Sequence, residues 1–156
     1  MTIHTVSHIA LRVTDLERSL RFYRDGLGFH EVSRVEVAGG PTALMLDAPN
    51  ASLSAIFLER DGTTLELQRL SLPDGPELRI PDVGLGWSHI GFRVDDAEKV
   101  AAALCVLGGH IIESSRYQDP ARGSHVLFVC DPDGARVELI QMPGDPQQAV
   151  GTPSAP

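Results

Sequence analysis

Little in this chain of 156 residues points to a covalent staple, a membrane span or a polyanionic partner. Cysteine is nearly absent: Cys105 and Cys130 are the only two, with no CxxC spacing, which argues against a disulfide framework or a thiolate zinc site and predicts free thiols. Basic residues are scarce as well. Thirteen Lys and Arg stand against 21 Asp and Glu, and the net charge of −8 argues against attraction to nucleic acid or an anionic membrane surface. A small-molecule partner is the expectation that remains. No apolar run approaches the roughly 20 residues of a membrane span. The opening MTIHTVSHIA lacks the basic region and apolar block of a signal peptide, so the expected location is the cytoplasm. The 42% of hydrophobic residues suffices to bury the core of one domain, or of two small modules sharing a core.

What the chain does have is a phrase written twice. SHIALRV at 7–13 returns as SHIGFRV at 88–94, five identities in seven at an offset of 81, and the register holds as far as Gly28 and Gly109. Alternation puts Ile9, Leu11 and Val13 on one face of a first strand and His8, Ala10 and Arg12 on the other; the second copy sorts the same way. TDLE and DDAE follow, with Thr14 and Glu17, and Asp95 and Glu98, at the spacing of an N-cap and its N3 carboxylate. Leu16, Leu20, Tyr23 and Leu27 then recur at helical spacing, as do Ala97, Val100, Ala101, Leu104 and Leu107. Gly28 and Gly109 sit where a left-handed residue closes a helix, and strands FHEVSRVEV and HIIESS follow. Each copy ends in a hairpin, around Asp61-Gly62 in one and DPDG at 131–134 in the other, with a glutamate four residues after the glycine: Glu66 and Glu138. Each module therefore reads βαβββ, an α+β domain over 1–142: module one 5–69, a turn-rich linker 70–86, and module two 87–142. The segment 37–52 fits no clean period, and the polar tail 143–156 is expected to be flexible.

His8, Glu66, His89 and Glu138 are the first-strand histidine and last-strand glutamate of each module, on the faces opposite those the helices should cover. A lone strand histidine is more often a surface or satisfied core residue; the matched duplication is what singles these four out. Two imidazoles and two carboxylates suit one divalent ion, Zn²⁺, Ni²⁺, Co²⁺, Mn²⁺ or Fe²⁺, with room for water or substrate. Arg12 and Arg93 share the histidine face and are candidates to clamp an anionic group, a salt bridge at the strand end being the alternative. Arg122 and His125, before an inner strand, are candidate substrate contacts; solvation in a loop is the alternative.

Over residues 5–142, the paired modules with SHIALRVTDLERSLRFYRDGLGF near the start and DPDGARVELIQ near the end resemble the vicinal oxygen chelate superfamily. The resemblance implies two modules forming a curved, mostly antiparallel sheet around a metal, and a homodimer. The set His8, Glu66, His89 and Glu138 is similar to the ligand set of glyoxalase I, and Arg12 matches an arginine that binds the glutathione carboxylate there. LQRL after Glu66 departs from that pattern, having no asparagine where glyoxalase I makes a second glutathione contact. The activity implied is metal-assisted proton transfer next to a carbonyl of a small oxygenated metabolite, by a lyase or isomerase with Glu66 and Glu138 as catalytic carboxylates. An Fe²⁺ extradiol-type dioxygenase and a non-catalytic drug-binding protein are the alternatives within the same fold.

Overall fold

The computed structural model describes residues 2–38, 51–72, 86–145, 147 and 148. The unassigned segment 37–52, the linker and the tail fall largely outside these residues. The chain divides into two compact units, Met1–Arg79 and Ile80–Pro156, each containing one of the repeated modules.

In the first unit, β1 (Ile9–Arg12) leads into a helix, α1 (Leu16–Leu20), that continues as a π-helical stretch over Arg21–Gly26. Three strands follow: β2 (His30–Ala38), β3 (Ser52–Arg60) and β4 (Thr63–Ser71). They form a sheet in the order β1-β4-β3-β2, with β1 parallel to β4 and the other pairs antiparallel. The β3–β4 hairpin turns at Asp61 (φ 52°) and Gly62 (φ 76°), two consecutive left-handed residues as a type I′ turn requires. That turn sets the register Phe57↔Glu66 and Leu58↔Leu65. Leu65 and Leu67 of β4 and Ile56 and Leu58 of β3 are buried, α1 packs on β3 and β4, and Leu20, Phe22, Tyr23 and Leu27 are buried with them.

The second unit repeats the plan with β5 (Ile90–Arg93), α2 (Ala97–Val106), β6 (His110–Ile111), β7 (Tyr117–Asp119), β8 (Ser124–Cys130) and β9 (Arg136–Gln141). The order is β5-β9-β8-β6 with β7 also paired to β8, and β5 runs parallel to β9. Ala97, Ala101 and Leu104 of α2 pack on Leu127, Val129, Val137 and Leu139, all fully buried. Asp131 is buried beneath the second hairpin turn, its Oδ1 accepting from the N–H groups of Asp133 and Ala135 at 2.9 and 2.8 Å, so the loop's own donors satisfy it.

Four local expectations are corrected. The N-caps are Asp15 and Asp96, one residue beyond Thr14 and Asp95: both adopt extended backbone and accept from the N–H three residues on, Arg18 and Lys99, at 2.9 Å. The left-handed residue after α2 is Gly108 (φ 93°) in place of Gly109, whose N–H instead reaches back to the Leu104 carbonyl at 3.0 Å. HIIESS is a strand only at His110–Ile111. There Ser115 takes over, its Oγ donating to the Ile112 carbonyl (2.6 Å) and accepting from the Phe128 N–H (2.8 Å), so the backbone turns through Glu113–Ser115 before β7 rejoins β8. The first helix departs from a 3.6 period after Leu20, where the Leu27 N–H bonds five residues back to Phe22; the wider turn lets the adjacent Phe22 and Tyr23 both point inward.

Candidate metal centre

The register places the singled-out residues within each sheet. In the first unit, β1 pairs with β4 so that Ala10 faces Glu66, with His8 one step beyond the strand on the same side. His8 Nε2 lies 3.1 Å from Glu66 Oε2. The His8 ring meets Phe57, the residue across the hairpin from Glu66, edge to face at 5.7 Å. In the second unit Gly91 faces Glu138, His89 Nε2 lies 3.2 Å from Glu138 Oε2, and the His89 ring meets Phe128 edge to face at 5.3 Å. The serine preceding each histidine contacts the other ring nitrogen: Ser7 Oγ to His8 Nδ1 at 3.1 Å, and Ser88 Oγ to His89 Nδ1 at 2.9 Å.

A Ser-His-Glu arrangement braced by a phenylalanine therefore stands once in each unit. The carboxylate side chains differ in exposure, 7% for Glu66 and 23% for Glu138, whereas the histidines match at 39% and 37%. A cavity of about 180 Å³ opens beside His8, lined by Val6, Ser7, Ile9 and the segment 62–64.

The donors fit a divalent ion chemically. With Nδ1 occupied by the serine, each ring presents Nε2 toward a carboxylate oxygen. The Nε2–Oε2 separations of 3.1 and 3.2 Å are ordinary contacts between an imidazole nitrogen and a carboxylate oxygen, donor types that a borderline divalent ion accepts. Each pair supplies two donors, and among the described residues neither is joined by a third His, Cys, Asp or Glu.

The four candidate substrate residues diverge. Arg12 is exposed, lies across from Gln68, and has no hydrogen-bond or ion-pair partner among the described residues. Arg93 lies across from Ile140, and its guanidinium donates to the carbonyls of Met142 and Gln148, both at 3.1 Å, so it ties those two backbone positions together. Arg122 is almost fully exposed, 3.6 Å from Asp119 in the loop before β8. His125 is buried on the face of β8 that carries Leu127 and Val129, opposite the face of Phe128. There its Nε2 lies 3.4 Å from Glu98 of α2, whose carboxyl is held below its ordinary range by the Arg116 guanidinium. Arg12 thus stands on the side of the sheet that carries its module's His-Glu pair, whereas His125 turns to the helix side.

Sequence reasoning missed Ser7, Ser88, Phe57 and Phe128. The serines were visible in the repeated SH. The phenylalanines belong to corresponding hairpin strands, AIFLE and VLFVC, but only the register reveals that they stand against the histidines.

The sequence profile of the Glyoxalase/Bleomycin resistance protein/Dioxygenase superfamily matches residues 5–139. The chain is 32% identical over 140 residues, 86% of its length and 88% of the relative's, to a lactoylglutathione lyase of Neisseria meningitidis serogroup A. Among solved structures, a glyoxalase family protein of Bacillus cereus superposes with a TM-score of 0.76 at 15% identity, covering 92% of this chain and 97% of the other, a likeness of fold. A trypanothione-dependent glyoxalase I of Leishmania major superposes with a TM-score of 0.59 at 25% identity, covering 89% and 87%.

Proposed function

The chain belongs to the Glyoxalase/Bleomycin resistance protein/Dioxygenase superfamily, and from that premise we propose that it is a metal-dependent lyase or isomerase of the glyoxalase I type, moving a proton next to the carbonyl of a small oxygenated metabolite. The observation that carries this reading is the duplicated pair, His8 with Glu66 and His89 with Glu138, at nearly equal Nε2–Oε2 distances.

His8, Glu66, His89 and Glu138 are the metal ligands of this reading, each pair offering a divalent ion an imidazole Nε2 and a carboxylate oxygen. When bound, that ion supplies a positive centre for substrate oxygens and stabilises the negative charge that develops on them as the neighbouring carbon loses its proton. The protein does the rest. Glu66 and Glu138 are the bases available to remove and return that proton. Phe57 and Phe128 brace the imidazoles, which limits how far the donors drift between turnovers. Arg12 is the residue assigned in this reading to an anionic group of the substrate, supported by its exposure beside Gln68. A thiol conjugate such as a glutathione adduct is one candidate substrate, and LQRL after Glu66 argues for different contacts at its far end.

We assign a homodimer, supported by β1 and β5 standing at the edges of their sheets with Val6 (84% exposed) and Trp87 (92% exposed) beside them. Among the described residues no helix is long and apolar enough to cross a membrane.

Deuterium exchange tests the activity. Metal-loaded protein is incubated in D₂O with 2-hydroxy- and 2-oxo-carbonyl compounds, with and without glutathione, and label is followed at the carbon beside the carbonyl. Incorporation without O₂ with at least one compound is expected. No incorporation with any, or turnover strictly dependent on O₂, refutes the reading, and the second outcome identifies a dioxygenase.

A further inference from the structure

Both histidines of the candidate centre are contacted at Nδ1 by a serine hydroxyl, at 3.1 Å from Ser7 and 2.9 Å from Ser88, and at Nε2 by a glutamate carboxylate, at 3.1 and 3.2 Å. A metal-binding imidazole commonly donates its second N–H to a carboxylate, a backbone carbonyl or water, and the two protein groups among these only accept. A hydroxyl both donates and accepts. That difference has a chemical consequence. With no metal, a neutral ring that faces Glu66 or Glu138 at Nε2 is best satisfied with its proton on Nε2, donating to the carboxylate, and with Nδ1 accepting from the serine O–H. A ring that ligates through Nε2 must instead carry its proton on Nδ1, which the same serine accepts after its hydroxyl rotates.

We propose that Ser7 and Ser88 are positioning residues that support both imidazole tautomers, letting His8 and His89 pass from a carboxylate-bonded, metal-free form to a metal-ligating form without losing their ring orientation. The inference rests on the metal-binding role proposed above for the two pairs. In the change, the Nε2 proton passes to the facing carboxylate or to water and Nδ1 gains a proton through the serine hydroxyl, which is replenished from solvent; the ring stays neutral throughout. Both serines are exposed, so their hydroxyls reach water and their replacement leaves the buried core intact. The same contact in two units separated by 81 positions marks it as part of the duplicated design.

The test uses the full chain with ¹⁵N-labelled histidine, stripped of metal by chelation, at a pH of about 8.5, where imidazoles are neutral. Long-range ¹H–¹⁵N correlations report the tautomer of each ring, with His8 and His89 assigned through His8→Asn and His89→Asn. Both rings should carry the proton on Nε2 before Zn²⁺ is added and on Nδ1 afterwards. Ser7→Asp, which offers only an acceptor, should place the His8 proton on Nδ1 even without zinc. Ser7→Ala and Ser88→Ala should each weaken Zn²⁺ binding about tenfold, and Thr at either position should restore it to within about threefold. Wild-type rings already protonated on Nδ1 without metal, or alanine variants that bind Zn²⁺ like wild type, would overturn the proposal. A wild-type protein that takes up no zinc would sink the metal reading instead. In that case unchanged ring ¹⁵N shifts in metal-free Ser7→Ala and Ser88→Ala would separately overturn the serine contacts, and displaced shifts would uphold them.

Discussion

The two units share a plan and differ in what surrounds it. Each has a parallel edge strand beside the second strand of a hairpin, a helix over one face, and the same Ser-His-Glu arrangement braced by a phenylalanine. Around that shared frame the first unit keeps polar groups open: Arg12 without a described partner, across from Gln68. The second replaces this pair with Arg93 across from Ile140 and uses Arg93 to hold the carbonyls of Met142 and Gln148. Glu66 is the more enclosed carboxylate, Glu138 the more open. The lesson is that the paired His-Glu positions have been kept together while the flanking positions have diverged. Arg12 is left open in one copy, and Arg93 is engaged with the backbone at Met142 and Gln148 in the other.

The largest effects should come from what the copies share. His8→Ala and His89→Ala should each abolish stoichiometric binding of a divalent ion, measured by metal analysis of protein purified without chelator; full occupancy in both variants would break the equivalence of the two pairs. Next, Glu66→Gln should keep most of the metal, since the amide oxygen still coordinates, while slowing deuterium exchange by a factor of roughly 10² to 10⁴. The same change at Glu138 sharpens the comparison: an equally deep loss means both carboxylates move the proton, whereas a shallow one assigns the step to Glu66.

Stability offers a third way to compare the units. Leu67 and Leu139, each the residue after its unit's glutamate, are fully buried on the helix-covered face. Leu67→Ala and Leu139→Ala should each cost about 2–5 kcal/mol in urea unfolding. A cost below this range at either site would show that its core can collapse around the cavity. The smallest effect separates the arginines. Arg12→Ala should raise KM for the exchange substrate about tenfold with little change in kcat, by loss of a charge-assisted contact worth roughly 1.5 kcal/mol. Arg93→Ala should leave KM unchanged and increase proteolysis after Met142. A reversed result would exchange the roles assigned to them.

Much of this was legible because it depends on short-range rules. The doubled phrase announced two modules, Asp61-Gly62 required a left-handed turn that fixes one register, and alternation from that turn sorted Glu66 from Leu65 and Leu67. The helix ends were one residue off in both copies. Thr14 and Asp15, like Asp95 and Asp96, are both acceptable caps in sequence, and only the backbone angles at the strand exit decide which oxygen meets the free N–H. His125 was unreadable for a different reason. Its place relative to the end of β7 and to Glu98 is decided by contacts between elements far apart in the chain, and these put it on the helix side.

By itself the sequence determined the α+β class, the internal duplication, the absence of a cysteine scaffold, and the selection of two histidines and two glutamates as candidate donors. These follow from periodicity and residue chemistry, which act locally. Tertiary structure alone decided that each histidine turns Nε2 to its own glutamate, that a serine holds the opposite ring nitrogen, and that Arg12 stands open while Arg93 is engaged. Those outcomes depend on which strands become neighbours and in what register. A difference of one residue would move every such side chain to the other face of its sheet.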